Sequence, residues 1–586
     1  MNMFGAFSAK APNRMFAALL LGAIAGIAYA GIIPLVLAAL ADPGAFPGVR
    51  DNKAYVLGWE ISNFGFAASF LGLCVLILLA RTASQVILIR LSLDVSTDMR
   101  RRLYERVSSA PIAELEKVGM PRLVAAITSD VPMVVAGARL LPDLFTNMVT
   151  LVGMLGYLLY LNAPVFWFVM GCIGFGVVTY QVPALIARRY LVRARNHLDG
   201  LHESIRGLVH GAKELKLNDA RREDYFRRVL AEAEHRVRDD GKTGQTVMRI
   251  AQNYGDLITF FVIGATAFVF VNYHAISRPE LVGVIMALLY VTGPIAILLN
   301  FIPQIMMARI ALRKLNALFA RIPEEAVARD VAPRRDWQAM RFEGVGYRYL
   351  DDAGEAGFEI GPLDLEIRKG EITFIVGGNG SGKSTLAKLV TMHYQRLDGE
   401  VRFDDEVLGP ANIAGFRQGV SAIFSDYFLF DRVLGREGAE LKDEVDSHLV
   451  ALGLAGKVEY RDGRFTTLAL SDGQKRRLAL VAAYLEDAEL YLFDEWAADQ
   501  DPAFKAFFYN AILPGLKERG KAVVVISHDD RYFDVADQLV VMEDGRITDR
   551  NLSGATLARA RQVASQQHDH GRRVAPGPRP VDATVA

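Results

Sequence analysis

Six long apolar runs in the first half, a complete G-x-x-x-x-G-K-S element at 377–384 and an apolar stretch ending in Asp494-Glu495 predict one fold class. It is a membrane α-helical domain, six transmembrane helices with long cytoplasmic extensions, fused to an α/β P-loop ATPase domain. Composition agrees, since 52% of the 586 residues are hydrophobic, a high share for a chain with no lipid-facing surface. The 66 basic and 66 acidic residues cancel, so no overall field draws the chain to nucleic acid, and none is expected as a partner. Cys74 and Cys172 both lie inside apolar runs and read as small hydrophobes rather than a disulfide.

The runs cover about 16–41, 58–80, 139–161, 164–187, 251–273 and 280–307. Each is long enough for roughly 30 Å of hydrocarbon, and backbone groups that cannot reach water make each a helix. The first is too long for the core of a cleaved signal peptide and should stay in the membrane. Arginines set the orientation: Arg81, Arg90 and Arg100 to Arg102 follow the second run, Arg188, Arg189, Arg193 and Arg195 the fourth, and Arg309, Arg313 and Lys314 the sixth. By the positive-inside rule both termini and the two long loops, 81–138 and 188–250, face the cytoplasm. Segments such as "STDMRRRLYERV" and "EDYFRRVLAEAEHRV" have helical apolar spacing with charged faces, so these loops read as membrane helices carried on into the cytoplasm. Four polar residues interrupt the last two runs, Asn253, Asp256, Asn300 and Gln304. Polar groups at membrane depth face a bundle interior or a water cavity, which makes them candidates for cargo contact; Asp256 reads equally well as a helix-end charge at the water boundary.

The transmembrane domain is thus expected over 1–320, a polar, proline-containing linker over 321–339, a nucleotide-binding domain over 340–553 and a disordered tail over 554–586. Two tail histidines, His568 and His570, are too few and too loosely held to read as a metal site.

"ITFIVGGNGSGKSTLAKLV" passes from a β-rich apolar run through glycines into a helical pattern, the context a phosphate loop needs. Gly377, Gly378, Asn379, Gly380, Ser381 and Gly382 form the loop, and Lys383, Ser384 and Thr385 open the helix. Glycines let backbone N–H groups turn toward phosphate at a helix N-terminus. Lys383 is expected to neutralise the β and γ groups, and the Ser384 hydroxyl to ligate Mg²⁺. In "LYLFDE" Asp494 is expected to hold Mg²⁺ through water, and Glu495 to act as general base on the attacking water. ATP and Mg²⁺ are the cofactors implied.

"LSDGQKRRLAL" at 470–480 resembles the signature of the ATP-binding cassette (ABC) transporter family, which contacts the γ-phosphate held by the opposite subunit. Ser471, Gly473 and Gln474 match its positions, with Asp472 where glycine is common. The resemblance further implies that Tyr349 in "YRYL" stacks on adenine, that Asp501 in "AADQDP" is the D-loop acid and that His528 in "VVVISHDD" is the switch histidine at the γ-phosphate. Where the family has a glutamine at the metal, "IFSDYFLFD" places Ser425, shorter in reach, with Asp426 or a water able to substitute. The "FSD…LFD" wording, "LFDEWAADQDP" without the usual proline after Asp-Glu, and "KELKLN" at 213–218 look like the cyclic-peptide and siderophore-precursor exporters, such as pyoverdine, syringomycin and microcin exporters. The likeness runs from about residue 15 to 550 and implies a type IV exporter half-transporter. Such a chain would work as a homodimer in the lipid of the bacterial inner membrane, with the nucleotide-binding domain cytoplasmic. Short helices near 108–118 and 203–214 would carry nucleotide-domain closure into the bundle. Its expected cargo is a cyclic or modified peptide or a siderophore-like precursor; the alternatives are a lipid or multidrug flippase and a non-transporting nucleotide-gated regulator.

Overall fold

The computed structural model describes residues 11–41, 54–56, 59–61, 64–272, 278–328, 331–350, 356–396, 398–436, 438–550 and 554–573. By their contacts they form two units, Met1–Glu105 with Pro121–Ala320, and Arg106–Met120 with Arg321–Ala586.

The first unit is helical. Its long elements are α1 (Pro12–Ala41), α2 (Phe64–Ser108), α4 (Met120–Leu161, with a π turn at Ala126–Asp130), α5 (Ala163–His210), α6 (Ala231–Gly264) and α7 (Arg278–Arg321); α3 (Ile112–Val118) is short and belongs to the second unit. At about 1.5 Å per residue, the 45 residues of α2 and 48 of α5 are roughly twice as long as a bilayer's hydrocarbon is thick. They therefore extend beyond the bilayer as the charged, helically patterned loops predicted. Side chains such as Leu71, Leu78, Trp167, Phe175 and Phe261 stand exposed, as a lipid-facing surface requires.

Five of these helices are long and apolar enough to cross a membrane among the described residues. The expected run at 251–273 behaves differently. It lies on α6 and its continuation through a π turn, Ala265–Val269, and a 3-10 turn, Phe270–Asn272, while residue 273 falls outside the described residues. Gln252, Asn253 and Asp256 dilute its apolar character. The short helix expected near 203–214 is likewise revised: α5 runs unbroken to His210, and the short helix that follows is Ala212–Lys216.

The second unit is built on two sheets. A four-stranded sheet contains β1 (Ala339–Leu350), β2 (Ala356–Arg368) and β4 (Asp398–Phe403); a six-stranded sheet runs β9-β8-β3-β7-β6-β5, with β3 (Ile372–Gly377), β5 (Val420–Ile423), β6 (Leu490–Asp494), β7 (Ala522–Ile526), β8 (Gln538–Glu543) and β9 (Arg546–Asp549). All its pairs are parallel except β8–β9 at the edge. β3, β6 and β7 are buried along their whole length and apolar except at Thr373 and Asp494, as parallel strands covered on both faces are. Period-two alternation sends Phe374, Val376, Tyr491, Phe493, Val523 and Val525 into one core and Ile375, Leu490, Leu492, Val524 and Ile526 into the other.

Two segments differ from the expected organisation. Residues 106–120 lie inside the stretch expected as a membrane domain over 1–320, yet by contact they group with the second unit, where Ile112 and Ala113 of α3 pack on the second of these cores. The tail expected to be disordered from Gly554 begins instead with α10 (Gly554–Arg573). Thr556, Ala560 and Ala564 are buried, and Leu557 and Val563 pack against the first core. Helical spacing of these small apolar residues docks the segment although its composition is polar; residues 574–586 lie outside the described residues.

The segment expected as a linker, 321–339, is anchored. Arg417 donates two hydrogen bonds to Glu325, at 2.9 and 2.8 Å, Gln395 adds one at 3.2 Å, and the Glu325 backbone N–H reaches Ser109 O at 2.7 Å. The Arg417 hydrogen bonds hold the Glu325 carboxyl below the usual glutamate range. Its folded value lies below its unfolded one, so this stabilisation is complete above the ordinary glutamate pKa of about 4.3 and is lost as pH falls through the depressed value. Glu325→Gln should cost about 1–3 kcal/mol at neutral pH and flatten the acid limb of a chemical-denaturation profile; a variant that keeps the wild-type acid limb would refute this role.

Candidate active site

In an open α/β sheet, ligands bind beyond the carboxyl ends of the strands, and the sheet register brings the phosphate loop, Asp494, Glu495 and His528 together there. β3 runs into Gly377, and α8 (Lys383–Val390) opens immediately after Gly382. Gly380 and Gly382 have φ of 80° and 99°, values that glycine adopts without strain. At Gly382 a Cβ would also come within 2.7 Å of Ile360. The loop therefore tolerates no side chain where it turns its backbone inward.

Lys383 is buried, and its ammonium donates to Gly377 O at 2.9 Å and Gly378 O at 2.8 Å. Burial lowers its pKa against the opposing pull of Glu495 and Asp494. Ser381 Oγ is buried with no hydrogen-bond partner, the condition of a donor awaiting a phosphate oxygen. Ser384 is exposed, and Thr385 Oγ1 lies 3.0 Å from the Tyr349 hydroxyl. The predicted adenine-stacking ring thus sits on the helix of the phosphate loop itself.

β6 pairs with β7 so that Asp494 is opposite Ile526, and the chain then turns into Glu495 and, on the neighbouring strand, His528. The two meet with Nε2 to Oε1 at 2.9 Å. Glu495 has φ of 51°, a left-handed conformation that costs a non-glycine residue energy and recurs at functional positions. Neighbouring carboxylates are driven apart: burial and then Glu495 push Asp494 up, while the His528 hydrogen bond holds Glu495 down. Glu495 is therefore ionised at neutral pH and able to accept a proton. Burial and Glu495 both oppose a charge on Asp494, and a divalent cation beside it would favour its ionised form. Among the described residues no three acidic, histidine or cysteine side chains form a metal cluster; a cation held mainly by phosphates and waters needs none.

Ser425 lies exposed just beyond β5, and its backbone N–H, rather than its hydroxyl, is the group hydrogen-bonded to Asp494. Asp426 beside it is also exposed and acts on Asp494 only as a like charge.

Ser471 caps α9 (Asp472–Glu486). Its Oγ accepts from Gln474 N at 3.4 Å while Ser471 N donates to the Gln474 side chain at 3.2 Å, a reciprocal capping box. Gly473 is packed so closely that a Cβ would come within 2.8 Å of Asp499 O, and its carbonyl accepts from Gln500 at 2.9 Å. The unexpected Asp472 pairs with Lys475 at 3.1 Å and is largely exposed, so much of its charge is spent on solvent and that lysine. Asp501 caps the next short helix through Phe504 N and pairs with Arg477.

Two residues that the sequence motifs did not single out join these pieces. Arg476 donates to the Glu495 backbone carbonyl and pairs with Asp499 at 2.8 Å; its own carbonyl accepts from Trp496 Nε1 at 3.0 Å. Trp496 is 1% exposed and stacks on Phe508 at 4.3 Å. This cross-brace ties the signature helix to the strained turn that presents Glu495. The visible signal was the tryptophan standing where the family usually has proline. A third missed contact is Glu116 of α3, which pairs with Lys388 of α8 at 2.8 Å and accepts from the Tyr394 hydroxyl. Tyr394 is also 3.5 Å from the Tyr349 hydroxyl.

Residues 360–498 match the family profile described as ABC transporter, and 16–295 match that of the ABC transporter transmembrane region. The chain is 33% identical over 548 residues to ATP-binding protein SyrD of Pseudomonas syringae pv. syringae, covering 92% of this chain and 94% of that one. It belongs to the ABC transporter family. The ABC transporter is also 23% identical over 573 residues to an ATP-dependent lipid A-core flippase of Shewanella denitrificans, covering 91% and 92% of the two chains. A bacterial Atm1-family ABC exporter solved with ATP bound shares its fold, with TM-score 0.75 and 17% identity over 97% of this chain and 100% of that one. This ABC transporter is accordingly a membrane-embedded, ATP-binding exporter that couples ATP hydrolysis to transport.

Proposed function

We propose that two copies of this ABC exporter form a homodimer in the bacterial inner membrane and expel a cyclic or otherwise modified peptide or a siderophore precursor. The similarity to SyrD, sustained through both halves of the chain, is the observation that carries the cargo class, and the subgroup wording around Ser425, Trp496 and Lys213 to Asn218 supports it.

Each ATP would lie between Lys383 of one copy and Ser471 and Gly473 of the other, with Tyr349 against adenine. Ser384 and Asp494 would hold Mg²⁺, which supplies charge neutralisation on the phosphates. Ser425 would contribute through its backbone more than its hydroxyl. Glu495 would take the proton of the attacking water, His528 would orient Glu495, and Ser381 would donate to phosphate. ATP binds the closed pair better than the open one, and that difference shifts the population. Glu116, joined to Tyr394 and Lys388, would pass closure to the membrane helices through α3.

The flippase relatives favour a second reading, lipid as cargo. Protein in lipid discs should show saturable ATPase stimulation by cyclic or acylated peptides and none by lipid A; the reverse pattern would select the flippase.

A further inference from the structure

We infer that Tyr180, Arg249, Asn253, Thr292 and Asn300 form a binding site for an anionic, amide-bearing part of the cargo, in particular a peptide carboxylate. The inference rests on the peptide-export reading. Arg249, Gln252 and Asn253 share one face of α6 by helical spacing, and Thr292, Ala296, Leu299 and Asn300 share one face of α7. These faces and Tyr180 of α5 line a cavity of ≈ 210 Å³. Two of the four polar interruptions singled out in the sequence, Asn253 and Asn300, thus meet at one site. Gln304 donates at 3.5 Å to the Asn300 carbonyl one turn back, and the Asp256 side chain lies outside the described residues.

A hydrogen bond from Gln252 to Asn300 Oδ1 at 3.2 Å joins α6 to α7 and so fixes the cavity wall. Tyr254 donates to Thr179 at 3.0 Å, which ties α6 to α5 beside Tyr180. Among the described residues Arg249 has no carboxylate partner, and the cavity's described lining contains no acidic group. A guanidinium, primary amides and hydroxyls are together a donor-rich set that suits a carboxylate and the peptide groups around it. Arg249 is exposed, so its guanidinium is open to an incoming anion. By contrast, the larger cleft of ≈ 790 Å³ between α5 and α6 is walled mainly by apolar groups such as Trp167, Phe175, Phe260 and Phe261, with Tyr254 beside them, and its described lining holds no charged side chain.

The test uses the full-length protein in lipid discs and a cyclic hexapeptide carrying one aspartate, compared with the same ring carrying asparagine. Wild type should respond to the acidic ring at the lower concentration. Arg249→Gln should raise the half-maximal concentration for the acidic ring by about tenfold, the loss of one charge-assisted contact, and erase the preference, with basal ATPase unchanged. Arg249→Lys should keep part of the preference. Thr292→Ile, which fills the cavity from α7, should weaken both rings while basal ATPase reports an intact fold. An unaltered preference in Arg249→Gln overturns the site. If lipid A stimulates wild type and only that response is lost in Arg249→Gln, the anion is a lipid phosphate and the peptide assignment is overturned. If no ring stimulates wild type, the peptide-export reading fails and the site assignment with it.

Discussion

Glu495→Gln should lower ATP turnover by a factor on the order of 10² to 10⁴, the range lost when a positioned general base is removed, while ATP still binds. The substitution keeps shape and one hydrogen-bond acceptor toward His528, which lies 2.9 Å away, but it removes the carboxylate proposed to take the proton from water. The nucleotide contacts proposed for Lys383 and Ser381 are left in place, so the protein should accumulate with ATP bound and its membrane half held in one state. Filter binding of labelled ATP beside phosphate release separates the two effects. The same variant distinguishes a pump from a nucleotide-gated regulator: vectorial flux disappears in the first case, whereas the regulator's phenotype survives. Loss of ATP binding together with turnover would show that Glu495 organises the site rather than acting as base.

Trp496→Ala should be the most destabilising single change near the site. The indole is 1% exposed, stacks on Phe508 at 4.3 Å and donates to the Arg476 carbonyl at 3.0 Å. Removing a buried aromatic of this size costs about 3–5 kcal/mol, and here it also releases the turn that carries Glu495 at φ 51°. Trp496→Phe isolates the second effect. It retains most of the packing but loses the hydrogen bond, so kcat for ATP should fall with little change in KM, because the phosphate loop is built on a different strand. Arg476→Gln should reproduce that split by removing the side-chain contact to the Glu495 carbonyl and the pairing with Asp499. Thermal unfolding followed beside steady-state kinetics checks both halves; a Trp496→Phe protein with wild-type kcat would rule out the brace as a positioning device.

Much of this site was legible because phosphate chemistry imposes local sequence. A loop that turns N–H groups inward needs glycine where φ is positive, as at Gly380 and Gly382, and a buried strand that ends in two carboxylates needs the apolar run before Asp494. The membrane helices were legible for a comparable reason, since length and apolarity are demanded by the bilayer. What escaped depends on side chains far apart in sequence. Arg476 and Trp496 are each ordinary until α9 and the end of β6 are placed side by side. Glu116 stands 272 positions from Lys388, and no local pattern announces that pairing. The helix Gly554–Arg573 was hidden by composition: its buried positions Thr556, Ala560 and Ala564 are small, and the polar residues between them dominate any window. At Ser425 the sequence directs attention to the side chain, whereas the contact the structure shows, to Asp494, is made by the backbone.

The most direct test of shared ATP sites is complementation in mixed dimers. In the proposed homodimer Lys383→Ala and Ser471→Ala should each inactivate both sites. Co-expressed with different affinity tags and purified through both, the mixed dimer contains one site bearing both lesions and one that is intact. Phosphate release from doubly tagged protein should exceed that of either homodimer. If turnover stays at the level of the two inactive parents, the phosphate loop and the signature serine do not meet across copies, and the shared-site account is wrong.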